Sequence, residues 1–335
     1  MRDIILYFTF IFTKPIIGLD FCNYWNCIGI TKNIDSSIPY KSNIGELPLV
    51  SWKNKEDKWI TTMNICKHMG SRLDKGKILE NGCLQCPYHG LEFNEKDEFG
   101  ETIEHDGKLF WAHNPIQKKP YSVPFYNNAK YTTSTLEIDM DASLTDSAYN
   151  TMDLRHPEYV HNIGFGNSIP PENIRHYFYQ NKSSIGLSFD YSASNIMKQI
   201  NNNVEKTQNF HMFHYPTFSW SRVSFENKHL IIGVNLLPLE RNKTRWYITI
   251  CHNYHTTEIG KQFMKILANT ILQQDYIQMQ NQYEDNDLKN ALLFNHVFDN
   301  EFAILELRNM FKKYKYTDID LCLKLVEEQN RHLSK

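Results

Sequence analysis

The chain has 335 residues, about twice the size of a typical single domain, so one large domain or two ordinary ones are expected. Hydrophobic residues make up 41% and charged residues 22%, a globular composition that excludes a disordered tail, a collagen-like rod and a coiled coil. The formal net charge is −2, with 36 Lys and Arg against 38 Asp and Glu. Because no basic excess can neutralise phosphates, nucleic acid is not expected as a partner.

The N-terminal segment, residues 1–20, contains an almost wholly apolar run at positions 4–12. A run of this length is too short to span a bilayer, which takes roughly 20 residues, and no small-residue cleavage site follows it. The seven cysteines are an odd number in a long chain, which favours a reducing compartment over a secreted disulfide framework. We therefore expect a cytoplasmic protein whose apolar run is buried or lies at a membrane surface.

Short apolar runs separated by glycine-containing turns follow, between residues 46 and 113. They predict three strands, at 47–52, 59–63 and 109–113. Pro115, Pro120 and Pro124 then indicate a stiff connection. The first domain is therefore expected at 21–124 and the second at 125–335.

The second part begins with a predicted helix at about 142–155 and ends with helices as well. Apolar runs predict strands at 185–189, 230–236 and 245–250. A long periodic pattern predicts a helix at 258–283, and another helix is expected after residue 317. Strands followed by helices indicate the α+β class.

Two pairs of soft ligands, each a cysteine and a histidine, occur in the first part. Cys66 and His68 have one residue between them, Cys86 and His89 have two, and 17 residues separate the pairs. Two thiolates and two imidazoles are the ligands of a Rieske [2Fe–2S] centre, in which two histidines replace two cysteines on one iron. Gly70 and Gly90 closely follow the pairs, as expected where the backbone turns tightly around a cluster.

Two other interpretations of these cysteines are open. A structural zinc site also uses two cysteines and two histidines, although zinc sites usually pair like ligands. Cys83 and Cys86 have the spacing of a CxxC redox pair. If Cys86 is a cluster ligand, Cys83 is more simply a small strand residue.

The two loops, residues 66–73 (CKHMGSRL) and 86–90 (CPYHG), resemble those of the Rieske family. The respiratory branch of that family has an extra cysteine in each loop, where this chain has Ser71 and Tyr88. The resemblance is therefore to the lower-potential branch, found in oxygenases and their ferredoxins. It implies an all-β Rieske [2Fe–2S] domain whose cluster ligands are Cys66, His68, Cys86 and His89.

A second group of candidate ligands lies at residues 150–161. His156 and His161 are five residues apart, so on one regular helix they would not share a face. Pro157 interrupts the helical hydrogen bonds and would let both rings converge. Asn150 and Asp153 precede His156 at intervals of three, a stripe that places the aspartate beside the histidine as an orienting partner.

A buried carboxylate on the long C-terminal helix would complete this group. Asp275 lies inside the predicted apolar stripe, between Leu272 and Met279. A carboxylate there is costly unless it is paired or binds a metal. Two histidines and one carboxylate with open positions are typical of non-haem Fe(II) oxygenases. The alternatives are a salt bridge from Asp275 to Arg245 or to a lysine, and Glu284 or Asp285 as the acid.

The segment that contains Asn150, Asp153, His156 and His161, together with residues 274–280 (QDYIQMQ), resembles the catalytic domain of Rieske non-haem iron oxygenases. The similarity is to the branch that contains pheophorbide a oxygenase and vanillate demethylase. It implies a helix-grip (START-like) catalytic domain, with an antiparallel sheet and a long C-terminal helix, that binds mononuclear Fe(II) through His156, His161 and Asp275.

The same resemblance implies how such a protein would work. O2 is the co-substrate, and electrons come from NAD(P)H through a flavin reductase, with or without a ferredoxin. Family members are often homotrimers, in which the residue matching Asp153 links the cluster of one chain to the iron of its neighbour. Asn150 and Asp153 are accordingly the expected catalytic residues beside the metal ligands.

Two functions are compatible with these patterns. The first is a Rieske oxygenase that hydroxylates, demethylates or ring-opens a hydrophobic, aromatic or polycyclic molecule, as an aromatic-rich second domain would favour. The second is an electron-transfer protein whose second domain binds a ligand without catalysis. His211 and His214, in an aromatic run, are candidates to line the pocket.

Overall fold

The structure, a computed structural model, describes residues 19–161, 171–178, 183–192, 198, 204–284, 287–294, 296, 298, 301–312 and 319–333. The apolar run at 4–12 lies outside these residues. Among the helices that are described, none is long and apolar enough to cross a membrane.

The first part of the chain consists of short strands that form three small antiparallel sheets. After a helical turn, α1 (Leu19–Cys22), the strands are β1 (Asn26–Ile30), β2 (Tyr40–Ile44), β3 (Leu47–Lys53), β4 (Trp59–Met63), β5 (Lys77–Ile78), β6 (Leu84–Gln85), β7 (Glu92–Phe93), β8 (Glu101–His105) and β9 (Lys108–Ala112). The hydrogen-bonded orders are β1-β9-β8, β2-β3-β4 and β5-β6-β7. Strands β3, β4 and β9 confirm the three strands predicted in this region.

Strand β3 separates two hydrophobic cores. Leu47 and Leu49 point into the main core of the protein, whereas Val50 and Trp52 point into a smaller core that also contains Cys66 and Cys86. Because both faces are buried, the strand is nearly continuously apolar in sequence. The two cysteine-histidine loops therefore lie on a small core of their own.

The second part is built on one large antiparallel sheet with helices. Its elements are β10 (Thr132–Met140), α2 (Leu144–Met152), α3 (His156–Val160), β11 (Glu172–Phe178), β12 (Ser184–Ser192), β13 (Lys206–His214), β14 (Phe218–Phe225), β15 (Lys228–Glu240), β16 (Lys243–His252), α4 (Glu258–Gln280), α5 (Asp287–Leu292), α6 (Phe302–Phe311) and α7 (Ile319–Leu333). The sheet has the order β10-β16-β15-β14-β13-β12-β11. The predicted strands lie within β12, β15 and β16, and the α+β class is confirmed.

The two parts share one hydrophobic core. Ile28 and Trp111 from the first part and Leu236 and Tyr247 from the large sheet are each no more than 1% exposed and belong to the same cluster. A backbone hydrogen bond of 2.8 Å from the Gly45 amide to the Pro238 carbonyl also joins the parts. Burial of this apolar surface is what holds the sheets of the first part against the large sheet.

The helix predicted at 142–155 is shorter than expected, because it ends at Met152. Ser143 caps its start by accepting a hydrogen bond from the Asp146 amide, and Asp153 at its end has an extended backbone. His156 then begins the separate helix α3. Asn150 therefore lies in α2, Asp153 at its end and His156 at the start of α3, so the three residues do not belong to one helix.

Helix α4 lies against the large sheet and contacts β10. The Thr257 hydroxyl caps its start by accepting a hydrogen bond from the Gly260 amide. Its buried side chains are Met264, Leu272, Asp275 and Met279, at the spacing of one helical face. The long helix and its apolar stripe are confirmed, and Asp275 lies inside the stripe.

Candidate functional site

The two cysteine-histidine loops follow strands β4 and β6 and have the same backbone geometry. In both loops the cysteine amide and carbonyl close a tight turn. The bonds are Cys66 N to Ser71 O (2.8 Å), Gly70 N to Cys66 O (2.8 Å), Cys86 N to Leu91 O (2.8 Å) and Gly90 N to Cys86 O (3.2 Å). Both glycines have φ of +73°, a conformation that residues with a Cβ adopt at a cost.

The cysteines of these loops are buried, and the histidines are exposed. Cys66 and Cys86 are each 3% exposed, while His68 and His89 lie at the surface with ring centroids 4.8 Å apart. Burial alone raises the pKa of the Cys86 thiol, but hydrogen bonds from the backbone of Tyr88 and His89 help to outweigh it, so that the net pKa is lowered. Backbone donors are therefore directed at the sulfur, as the thiolate ligand of a cluster requires.

These four side chains offer the donor atoms of an iron–sulfur cluster. Ligand atoms around tetrahedral zinc lie about 3.8 Å from one another, given bonds of about 2.3 Å. Within the described ranges, one group of three His, Cys, Asp or Glu side chains has its ligand atoms within 4.8 Å of one another. That group consists of His156, His161 and Asp275, and not of the loop side chains. The four side chains of the loops do not form such a compact group, and their two thiolates and two imidazoles are the donor set of a Rieske [2Fe–2S] cluster.

Cys83 does not have the properties of a redox-active cysteine. Its thiol is half-buried, and burial raises its pKa. A reactive cysteine of a CxxC pair has a lowered pKa instead. Its backbone amide donates to the Asn81 side chain, which fits the structural interpretation of this residue.

His156, His161 and Asp275, here called the triad, meet at one point. The Nε2 atoms of His156 and His161 lie 3.5 Å and 3.4 Å from Asp275 Oδ1. The Asp275 residue is 5% exposed, and burial lowers the pKa of His161. Two imidazoles and a carboxylate at this spacing fit a single metal ion, and the donor set is the one that non-haem Fe(II) uses.

The two histidines converge for a different reason from the one expected. Pro157 lies in the first turn of α3, where its missing amide hydrogen costs no helical bond. The helix ends at Val160, and His161 has a non-helical backbone (φ −96°, ψ 68°). The end of the helix, not a break at the proline, therefore turns the second ring back, to a centroid distance of 5.1 Å from the first.

Asp153 contacts the His156 ring mainly through its backbone. The His156 Nδ1 atom lies 3.2 Å from the Asp153 carbonyl oxygen and 3.8 Å from its carboxylate. The carboxylate accepts a hydrogen bond of 2.8 Å from the Arg155 amide and is 33% exposed. The carbonyl can thus fix the orientation of the His156 ring, while the carboxylate reaches the surface.

Two amide side chains form contacts with the triad. Asn150 Nδ2 donates to Asp275 Oδ1 at 3.3 Å, and Gln274 Oε1 lies 3.3 Å from His161 Nδ1. Contacts of this kind orient metal-binding side chains and fix the histidine tautomer. Sequence reasoning assigned no contact to Gln274, and its only signal was its position next to Asp275.

The alternative partners and acids are placed elsewhere. Arg245 forms a two-pronged pair with Asp139, at 2.6 Å and 3.0 Å, so it does not neutralise Asp275. Glu284 accepts from Asn242 at the surface, and Asp285 lies outside the described residues.

A cavity of about 190 Å³ opens beside the triad, between helices α3 and α4 and the large sheet. Its walls are mostly apolar, with side chains such as Phe189, Leu230, Ile232, Ile248 and Ile250. His211 lines it, whereas His214 packs on the other side of β13 against Tyr121, at a centroid distance of 3.9 Å. An apolar cavity with a few polar groups is the usual form of a small-molecule site.

Comparisons with known proteins agree with this geometry. Residues 24–109 match the family model described as the Rieske [2Fe-2S] domain. The chain is 22% identical to pheophorbide a oxygenase, chloroplastic, of Oryza sativa subsp. japonica, over 68% of this chain and 45% of that protein. It is 27% identical to the oxygenase component of dicamba O-demethylase of Stenotrophomonas maltophilia, over 42% of this chain and 47% of that protein. The chain thus spans about half the length of these curated relatives.

The fold is shared more widely than the sequence. A crystal structure of dicamba monooxygenase bound to 3,6 dichlorosalicylic acid superposes with a TM-score of 0.71, covering 87% of this chain and 96% of that one at 16% identity. At this identity the similarity shows the fold alone. The chain thus joins a segment that matches the Rieske [2Fe-2S] domain to a second part, and together they have the fold of that monooxygenase.

Proposed function

We propose that this protein is a Rieske-type oxygenase that uses O2 to oxidise a hydrophobic, aromatic or polycyclic molecule. One observation carries the proposal. The buried triad of His156, His161 and Asp275 lies at an apolar cavity, in the same chain as a Rieske domain. A protein that only carried electrons would have no use for a second metal site beside a cavity.

The triad would hold Fe(II), which when bound would supply the activation of O2. The surrounding side chains have separate tasks. Asn150 holds the Asp275 carboxylate through its hydrogen bond, and Gln274 fixes the tautomer of His161. The apolar walls of the cavity bind the substrate skeleton and exclude water from the reacting atoms.

Cys66, Cys86, His68 and His89 would hold the [2Fe–2S] cluster, which supplies single electrons. The exposed position of the two histidines leaves that edge of the loops open to a redox partner. One relative is named an oxygenase component, so we propose a ferredoxin or flavin reductase that draws on NAD(P)H as the electron donor.

We also propose that the domain limits are 21–124 and 125–335.

We further propose that three copies form a ring. His68 and His89 lie at the surface of the first domain, and the Asp153 carboxylate is partly exposed beside the triad. A head-to-tail contact between copies could bring one chain's exposed histidines to its neighbour's Asp153, and such contacts close into rings. Light scattering on the purified protein should then give three times the mass of the chain, and a monomer would contradict this arrangement.

The substrate class is proposed from the cavity and from the names of relatives. The names refer to pheophorbide a, to dicamba and to a 3-ketosteroid, all of which contain rings. The apolar walls fit a substrate of that kind. Hydroxylation, demethylation and ring opening are all compatible with the proposed centre.

The test is the metal and sulfide content of protein purified without air. We expect about three irons and two acid-labile sulfides per chain, for a cluster plus one mononuclear iron. Two irons with two sulfides after iron loading would leave the triad without metal and favour the electron-transfer protein. Zinc without sulfide would contradict the Rieske assignment of the loops. Addition of aromatic and polycyclic compounds with a reductase should then stimulate O2 uptake.

A further inference from the structure

One patch on the sheet wall of the cavity is polar. Its side chains come from two neighbouring strands, β13 and β14. His211 pairs directly with Ser221 across these strands, and Leu187 and Ile232 flank the pair on either side. The cavity-lining side chains that make up this polar patch are Asn209, His211, Ser219 and Ser221.

The polar patch has hydrogen-bonding groups that the described residues leave without a partner. Among the described residues, no hydrogen bond reaches either ring nitrogen of His211, and its Nδ1 is fully buried. Asn209, which is 7% exposed, donates from Nδ2 to the Thr207 carbonyl and hydroxyl, both at 3.1 Å. These bonds leave its Oδ1 without a partner in the described part of the chain. Since buried polar groups are normally paired, the patch is suited to a ligand that pairs them.

The charge around the patch selects the kind of ligand. No lysine or arginine lines the cavity among the residues that the structure describes. Burial lowers the pKa of His211 to about 3, so its ring is neutral at physiological pH. The acidic side chains of Asp153 and Asp275 line the same cavity. A carboxylate would therefore find no counter-charge from the described side chains, whereas an uncharged oxygen would find both donors and acceptors.

We infer that the polar patch binds an uncharged oxygen substituent, a ketone or a hydroxyl, on an otherwise apolar ring system, with His211 as the positioning residue. This inference rests on the proposed function, since it describes the substrate of the same cavity. A neutral imidazole offers one donor and one acceptor, Ser219 and Ser221 offer hydroxyls, and Asn209 offers an acceptor. The patch lies on the sheet wall while the triad comes from α3 and α4, so anchoring the oxygen determines which carbon faces the triad.

Binding of three bicyclic probes tests the inference without any turnover. The probes are indane, 1-indanone and indane-1-carboxylate, titrated calorimetrically into metal-loaded protein in the absence of O2 and reductant. We expect 1-indanone to bind about 10-fold more tightly than indane, the value of one good hydrogen bond, and the carboxylate to bind most weakly. His211→Phe should abolish the preference for the ketone while indane binds as before. His211→Gln, which keeps a donor and an acceptor, should retain part of the preference for the ketone.

The chain offers a matched control on the same strand. His214→Phe changes the same residue type on the other side of β13, so the preference for the ketone should be unchanged. A ketone that binds no more tightly than indane, a preference that survives in His211→Phe, or tightest binding of the carboxylate would each overturn the inference. The binding test needs no turnover, so absence of oxygenase activity would contradict the proposed function without deciding the binding test.

Discussion

The two candidate metal sites of this chain are assembled in different ways. Each cysteine-histidine loop closes on itself within six residues, through the same pair of backbone hydrogen bonds and a glycine at the same φ. The triad joins segments far apart in sequence, since His161 is 113 residues from Gln274, the neighbour of Asp275. It exists only where α2, α3 and α4 are packed on the large sheet. The first site should therefore depend on local backbone geometry and the second on the packing of the whole second domain.

The largest expected effect is the loss of one metal site without the other. Asp275→Ala should remove about one iron per chain, keep the sulfide, and lower turnover more than about 100-fold, since even an orienting contact is worth 10- to 100-fold. Cys86→Ala should remove the sulfide and keep the mononuclear iron. Iron and sulfide analysis with the visible spectrum of the cluster measures both.

Cys83→Ala is the control for this pair of variants, because the Cys83 thiol is half-buried and its pKa is raised rather than lowered. It should keep both metal sites. If Asp275→Ala also lost the sulfide, the two sites would not be independent, and the comparison drawn above would be wrong.

The next largest effect concerns the Gln274 side chain, which contacts the triad. Gln274→Ala removes the contact of 3.3 Å with His161 Nδ1, and should weaken iron binding about 10- to 100-fold. Gln273 is the adjacent residue on the same helix and is exposed, so Gln273→Ala should leave the affinity unchanged. Equal loss in the two variants would indicate that the helix, not the contact, is responsible.

Sequence reasoning succeeds where the determinant is local. The cluster loops follow from ligand spacing alone, because each loop is complete within a few residues. Asp275 was identifiable because a carboxylate in an apolar helical stripe needs a partner. The end of α2 at Met152 could not be identified from the sequence, because the extended backbone of Asp153 depends on how the following segment packs.

The cavity shows the limit of the same reasoning. His211 and His214 were equal candidates in sequence, and only the alternation of side chains along β13 separates them. That strand was not predicted, because its residues 206–210 are largely polar and its two faces meet different surroundings. Long-range pairing with β12 and β14 defines the strand, and a single sequence does not show that pairing.

Acid should affect the second domain through two partly buried histidines, His211 and His214. Burial lowers the pKa of His214 to about 4 and that of His211 to about 3, whereas unfolded histidine titrates near 6.5. Below about pH 6.5 the unfolded chain takes up protons that the folded chain does not, so the free energy of unfolding should decrease as the pH falls towards 4. The slope is about 1.4 kcal/mol per pH unit for each histidine.

Urea unfolding followed by tryptophan fluorescence between pH 7 and pH 4.5 measures this slope. His214→Phe should reduce the slope by about one histidine's share. A slope that is the same in the variant would mean that His214 is not held neutral by the fold.

The smallest expected effect tests the local character of the cluster loops. Gly70 and Gly90 share a φ of +73°. A Cβ at Gly70 would meet nothing within 4 Å, and one at Gly90 would meet only the Gln85 side chain at 3.6 Å. Alanine at either position therefore brings backbone strain without a clash, and should reduce the free energy of unfolding by about 1 to 2 kcal/mol. Asparagine, which adopts this conformation more readily, should cost less.

The two glycine variants should behave alike, because the loops have the same hydrogen bonds, and neither should change the iron content of the triad. Thermal unfolding and iron-to-sulfide ratios provide the measurement. If Gly70→Ala and Gly90→Ala differed widely, or if either emptied the triad, the loops would be coupled to the packing of the second domain. In that case the cluster site would be as non-local as the triad, despite being visible in the sequence.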